Sequence, residues 1–182
     1  MPGEMRIYFE GDKSLKAGFD VFFGEIKAQA KTAKWRVSVI ATGGTPERDF
    51  AIAMRKHQTA WNILLRDSEG PLNQDRPQSQ AGSIFWMVET MESWFHADKD
   101  ALAQYYKSGF RKEALSANPK VEEIPKQDLI DGLKAATRDT KKGKYHKTKH
   151  APVLLQSIEP SPVRRAAPNC DRLFKAVLDR LG

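Results

Sequence analysis

Glu10, Asp67 and Glu69 are the residues of this chain whose type and placement best suit chemistry. Each follows a short apolar run: Arg6-Ile7-Tyr8-Phe9 leads into Glu10-Gly11, and Trp61 to Leu65 leads into Asp67-Ser68-Glu69-Gly70. Asp67 and Glu69 are two apart, a spacing that puts both side chains on one side of an extended chain. If the two runs form neighbouring strands, three carboxylates converge. Their mutual repulsion is relieved by a cation, and hard oxygen donors favour Mg²⁺, Mn²⁺ or Ca²⁺ over zinc. No cysteine or histidine cluster at zinc spacing competes. A single acid at a strand end is more often an ordinary solvated loop residue, so the conjunction of two such turns carries the argument.

The surrounding elements decide whether those acids meet. The pattern predicts a strand over Arg6 to Phe9, a helix from Ser14 to about Thr32 with Leu15, Phe19, Phe22, Phe23 and Ile26 on its apolar face, and a strand over Trp35 to Ile40. Thr42-Gly43-Gly44-Thr45-Pro46 then turns into a helix from Glu47 to about Lys56, with Thr45 as its cap, before the strand over Trp61 to Leu65. Strand, helix, strand, helix, strand with short connections is the pattern of a parallel sheet, so the fold class is α/β. Ligands of such sheets bind beyond the carboxyl ends of the strands, where the winding reverses. Pro71 to Gly82 reads as a long loop or flap, Ser83 to Val88 as a fourth strand, and Glu89 to Tyr106 as a helix. Glu89 and Glu92 share a face at its start. Their default role is to favour the positive helix end, and the alternative, stronger for Glu92, is to bind metal or activate water. Met87, Met91, Trp94 and Phe95 read as core. Residues 1–107 thus form an α/β core and residues 108–182 a helical, basic extension, with short helices over Arg111 to Leu115, Gln127 to Arg138, Ala151 to Ser157 and about Asn169 to Leu181.

The chain has 182 residues, enough for one sizeable core. No apolar stretch approaches the ~20 residues that span a bilayer, and neither a secretory leader nor cysteine pairing is evident, Cys170 being alone. A cytoplasmic protein with no membrane role is the expectation. Thirty Lys and Arg against 23 Asp and Glu give a net charge of +7, which raises the prior for a polyanionic partner. The distribution says more. Lys141, Lys142, Lys144, Lys147 and Lys149 surround Tyr145 and His146, with His150 following and no acid interrupting. One reading is a nucleic-acid-binding segment in which the cations neutralise phosphates and Tyr145 stacks on a base. The plain alternative is a solvated loop.

An acid after the first strand and an acid-x-acid pair after the third resemble the Toprim motif of topoisomerases, primases and OLD-type nucleases. Glu69 stands where Asp is usual, lengthening that side chain. Over nearly its whole length the chain is also similar to a Toprim-related family catalogued as domain of unknown function four-two-seven-six. The residues that carry this are Tyr8-Phe9-Glu10-Gly11, Asp67-Ser68-Glu69-Gly70-Pro71, Met91-Glu92-Ser93-Trp94-Phe95, the stretch Asn118 to Lys126, and the stretch Thr140 to Thr148. The resemblance implies a Toprim-like three-layer fold around a mainly parallel sheet of about four strands. It implies a nuclease dependent on Mg²⁺ or Mn²⁺, acting on DNA or RNA and encoded beside an AAA-type ATPase in anti-phage defence, with a homodimer left open. By analogy Glu10, Asp67 and Glu69 ligate the metal, Glu92 adds a ligand or positions water, and Lys147 or His150 completes the catalytic site. The competing expectation is a non-catalytic subunit that binds nucleic acid or docks on the ATPase.

Overall fold

In the computed structural model, which describes residues 3–72 and 83–182, four strands form one sheet in the order β2-β1-β3-β4, all parallel. They are β1 (Glu4–Phe9), β2 (Arg36–Ala41), β3 (Trp61–Asp67) and β4 (Ile84–Met87). Alternation along the strands sorts side chains between two faces. Ile7, Phe9, Ile63, Leu65, Phe85 and Met87 face the main core, while Tyr8 and Leu64 face the other way. The chain moves from β1 to β2 on one side, then returns past β1 to β3 and β4 on the other. The winding therefore reverses between β1 and β3, and there the two acid-bearing strands lie side by side.

Helix α3 (Pro46–Lys56) packs Phe50 and Ala53 on Tyr8 and Leu64. Its Thr45 does not cap it: that side chain makes no capping hydrogen bond. On the main-core face the single long helix expected from Ser14 to Thr32 is interrupted. A 3-10 turn precedes α1 (Lys16–Phe22), and α2 (Gly24–Thr32) starts afresh after Phe23, whose backbone leaves helical geometry at φ −88°, ψ 20°. The expected helix from Glu89 likewise starts only at Glu92, as α4 (Glu92–Ala97), and breaks at Asp98. The Asp98 carboxylate caps α5 (Lys99–Tyr106) by accepting from the Ala101 N–H at 3.2 Å, and it also accepts from the Glu159 N–H at 2.9 Å. The flap expectation for Pro71 to Gly82 falls almost wholly outside the described residues.

The remaining helices are α6 (Lys126–Thr137), α7 (Lys147–Ser157), α8 (Pro160–Ala166) and α9 (Pro168–Leu181). One apolar cluster runs from Phe9, Phe19 and Trp94 through Leu129 and Leu154 to Phe174 and Val177, so the C-terminal helices and the sheet share a core. Helices α1 and α7 approach closely at Gly18. A Cβ there would sit 2.8 Å from the Leu155 Cβ, an overlap that only glycine avoids. Among the described residues no helix is long and apolar enough to cross a membrane.

Candidate metal and phosphate site

Because β1 and β3 are parallel neighbours, Glu10 and Asp67 leave the sheet at the same end. The Asp67 N–H donates to Glu10 Oε2 at 3.2 Å, tying the first acid to the strand that carries the second. Arg66 Nε lies 3.6 Å from the same oxygen. Gly11 turns the chain at φ 135°, a region that favours glycine, and a Cβ there would meet Leu15 at 2.8 Å. Together Glu10, Asp67, Glu69 and Lys147 line a cavity of about 340 Å³, walled also by Leu15, Met91 and Pro152.

The expectation that Asp67 and Glu69 point the same way from an extended chain is corrected here. β3 ends at Asp67, and Glu69 adopts left-handed backbone at φ 58°. Its carboxylate pairs instead with Lys126 at the head of α6. Glu89 serves that same helix start, accepting from the Lys126 N–H at 2.6 Å, and so lies ahead of α4 rather than on a face shared with Glu92.

Asp67 sits deeper, 7% exposed. Its Oδ1 accepts from the Met91 N–H at 2.8 Å, and its Oδ2 lies 3.2 Å from the Thr90 hydroxyl. The same hydroxyl donates to Glu92 Oε2 at 2.6 Å, and Tyr145 donates its phenolic O–H to Glu92 Oε1 at 2.9 Å. The Lys147 ammonium stands 3.7 Å from Asp67 Oδ2 and 3.6 Å from Glu92 Oε2. Burial pushes the Asp67 carboxyl up to about 6; Lys147 opposes that, and the charges on Glu92 and Glu10 add to it. Burial works against the charge on Lys147, yet Glu92 and Asp67 together hold its ionisation above the ordinary lysine value.

The basic segment is not a loop throughout. Lys147 opens α7, whose first turn also carries Thr148, Lys149 and His150. Lys141, Lys142, Lys144, His146, Lys147 and Lys149 are exposed, as a phosphate-binding surface requires. Two members are not available for it. Tyr145 is 4% exposed, its ring beside Phe95 and His150, so it cannot stack on a base from solvent. His150 is 1% exposed and accepts the His146 N–H on Nδ1 at 2.9 Å, which leaves Nε2 to donate to the Lys142 carbonyl at 3.2 Å. It is a neutral structural histidine, and burial lowers its basicity further. α7 begins four residues earlier than expected and so includes His150, while Tyr145, just ahead of it, is held by Thr137, Phe95 and Glu92.

The residues the sequence did not flag are Thr90, Met91 through its N–H, and Lys126. Thr90 and Met91 reach Asp67, and Lys126 reaches Glu69, from distant parts of the chain, and no local pattern marks those contacts.

Glu10, Asp67 and Glu69, with Asp12 also on the cavity wall, suit a hard divalent cation in donor type, and burial and like charges raise the pKa of Asp67. They do not form a finished cage: among the described residues no group of three or more Asp, Glu, His or Cys is placed to hold an ion. Glu69 is paired with Lys126, and Glu10 lies beside Arg66. Both pairs are partly exposed, so exchanging a side-chain cation for a metal there costs little.

The four-stranded, all-parallel sheet packed with helices is an α/β fold of the Toprim-like kind. The sequence matches the family described as Domain of unknown function (DUF4276) over residues 19–178, and the chain belongs to that family. The matched span includes Asp67, Glu69, Glu92, Tyr145 and Lys147. Among solved structures, the C-terminal region of the Burkholderia pseudomallei OLD protein shares the fold with a TM-score of 0.54 and 14% sequence identity, covering 98% of each chain. No curated protein matches the chain in sequence.

Proposed function

We propose that the chain is a metal-dependent phosphodiester hydrolase acting on DNA or RNA at the cavity between β1 and β3. The observation that carries this reading is the placement of Lys147 against Asp67 within a cavity that Glu10 and Glu69 also line. Glu10, Asp67 and Glu69 are the residues that would hold Mg²⁺ or Mn²⁺. Such an ion, when bound, stabilises charge on a phosphoryl oxygen and lowers the pKa of a bound water. The chain's own part is to bind and orient. Lys147, half exposed at the cavity wall, supplies a positive charge for a non-bridging phosphate oxygen, and the exposed Lys141, Lys142 and Lys144 just ahead of it hold the flanking backbone. Leu15, Met91 and Pro152 exclude water from one side.

The resemblance to OLD-type nucleases supports extending the proposal to an AAA-type ATPase as partner and to defence against phage. Purified protein, alone and with such an ATPase, is to be incubated with single- and double-stranded DNA and RNA in Mg²⁺ or Mn²⁺. Cleavage that Glu10→Ala and Asp67→Ala each reduce by at least about 100-fold supports the proposal. Cleavage unchanged in both variants, or none under any of these conditions, rejects it.

A second reading has its own support. Every acid of the cavity already has a side-chain cation or hydrogen-bond donor, as a non-catalytic subunit would have. It predicts nucleic-acid or ATPase binding without turnover, and binding more sensitive to alanines at Lys141, Lys142 and Lys144 than to changes at the acids.

A further inference from the structure

We infer that Tyr145 and Glu92 are positioning residues that fix the Lys147 ammonium against Asp67, with Thr90 as the link between the two carboxylates. The inference rests on the reading above and assigns Glu92 a place behind the site, away from metal or substrate.

Glu92 is 1% exposed and both of its oxygens are engaged, Oε1 by Tyr145 and Oε2 by Thr90. A carboxylate so enclosed offers no open path to an entering ion. What it does offer is a fixed negative charge 3.6 Å from Lys147 Nζ. Its own position is fixed in turn. Tyr145 cannot swing away, because its N–H donates to Thr137 Oγ1 at 2.7 Å and its ring is packed against Phe95 and His150. Residues 145 and 147 are neighbours on one segment, so the phenol anchors Glu92 while the ammonium beside it is anchored by Glu92.

Thr90 has one hydroxyl proton for two carboxylates, and the shorter contact, 2.6 Å against 3.2 Å, assigns that proton to Glu92. Asp67 Oδ1 is held by the Met91 N–H. Oδ2 is thereby left with lone pairs turned toward Lys147 and the cavity. The network immobilises one oxygen of Asp67 and leaves the other for a cation, and this selectivity comes from atoms that touch neither substrate nor metal.

The test uses the full-length chain and the variants Tyr145→Phe, Glu92→Gln, Thr90→Val and Thr90→Ser. Tyr145→Phe keeps the ring in place and removes only the hydroxyl. NMR of ¹³C,¹⁵N-labelled lysine reads Lys147 directly, without metal or turnover. In the unaltered chain its signal stands apart from those of solvated lysines. In Tyr145→Phe, Glu92→Gln and Thr90→Val it moves toward them, and Thr90→Ser restores most of the displacement. Mn²⁺ binding by EPR weakens about 3- to 10-fold in Tyr145→Phe, and kcat on a labelled oligonucleotide falls about 10-fold with KM within twofold. If Tyr145→Phe folds and the Lys147 signal stays where it was, the inference is overturned, whatever the chain cleaves. If the signal moves as expected while no form of the chain cleaves nucleic acid, the positioning network stands and the hydrolase proposal falls.

Discussion

The cavity has two halves built on different physics. In the inner half, Asp67 and Glu92 are buried, Asp67 Oδ1 and both Glu92 oxygens are held by Met91, Thr90 and Tyr145, and a single lysine supplies the positive charge. In the outer half, Glu10 and Glu69 are more exposed and face Arg66 and Lys126 in ion pairs open to water. Burial makes the inner charges expensive and fixed, while solvent makes the outer ones cheap and exchangeable. The lesson is a division of labour: rigid geometry comes from one side, and room for an incoming cation from the other.

The comparison is broken most strongly at Asp67. Its carboxyl titrates at about 6 in the folded chain against 3.8 ordinarily, so the folded form holds the proton more tightly. Stability from that proton is complete below the unfolded value and is lost as pH rises through about 6. At one pKa unit per about 1.4 kcal/mol, Asp67→Asn should raise metal-free stability by up to about 3 kcal/mol above pH 6 and by little at pH 4. Urea unfolding at pH 8 and pH 4 measures the difference, and equal gains at both would contradict the account. The same variant should lose Mn²⁺ affinity, a stability gain obtained at the expense of the site.

Lys147→Met comes next. It keeps most of the stem and removes the only side-chain ammonium within 4 Å of Asp67 or Glu92 among the described residues. Loss of a partner from a fully buried pair costs several kcal/mol, and the half-exposed ammonium reduces this to about 2 kcal/mol at pH 8. The loss should shrink below pH 6 as Asp67 takes up a proton, which unfolding curves at the two pH values will show. The smallest effect belongs to the outer half. Lys126→Met or Glu69→Gln should change stability by less than about 0.5 kcal/mol, with any effect suppressed by 0.5 M salt. A cost near 2 kcal/mol there would erase the distinction between the halves.

Much of this arrangement was legible beforehand, and the reasons are particular. β1 and β3 declare themselves because buried parallel strands are largely apolar runs, the edge strand β2 by its β-branched residues, and Glu10 and Asp67 could be paired because parallel neighbours deliver their following residues to one end. Glu69 was misplaced by the period-two rule, which applies only while the chain stays extended, and the strand stops at Asp67. Tyr145 and His150 were read as surface because five lysines dominate the composition around them. Their burial comes from partners outside the run, Phe95, Thr137 and Glu92 for Tyr145 and Tyr106 for His150, which leave no signature in the lysine run itself. Thr90 was invisible for a different reason: a threonine between two carboxylates matters only once Asp67 and Glu92 have been brought to either side of it.

The order in which these parts occur along the chain has a consequence for synthesis. Glu10, Asp67, Thr90 and Glu92 leave the ribosome first, whereas Tyr145 and Lys147 emerge more than fifty residues after Glu92. Until then the inner half of the site lacks both the Lys147 ammonium and the Tyr145 anchor. The charges and the clamp that aligns them are together only once the segment through Lys147 has been made, so translation itself withholds an assembled centre until then.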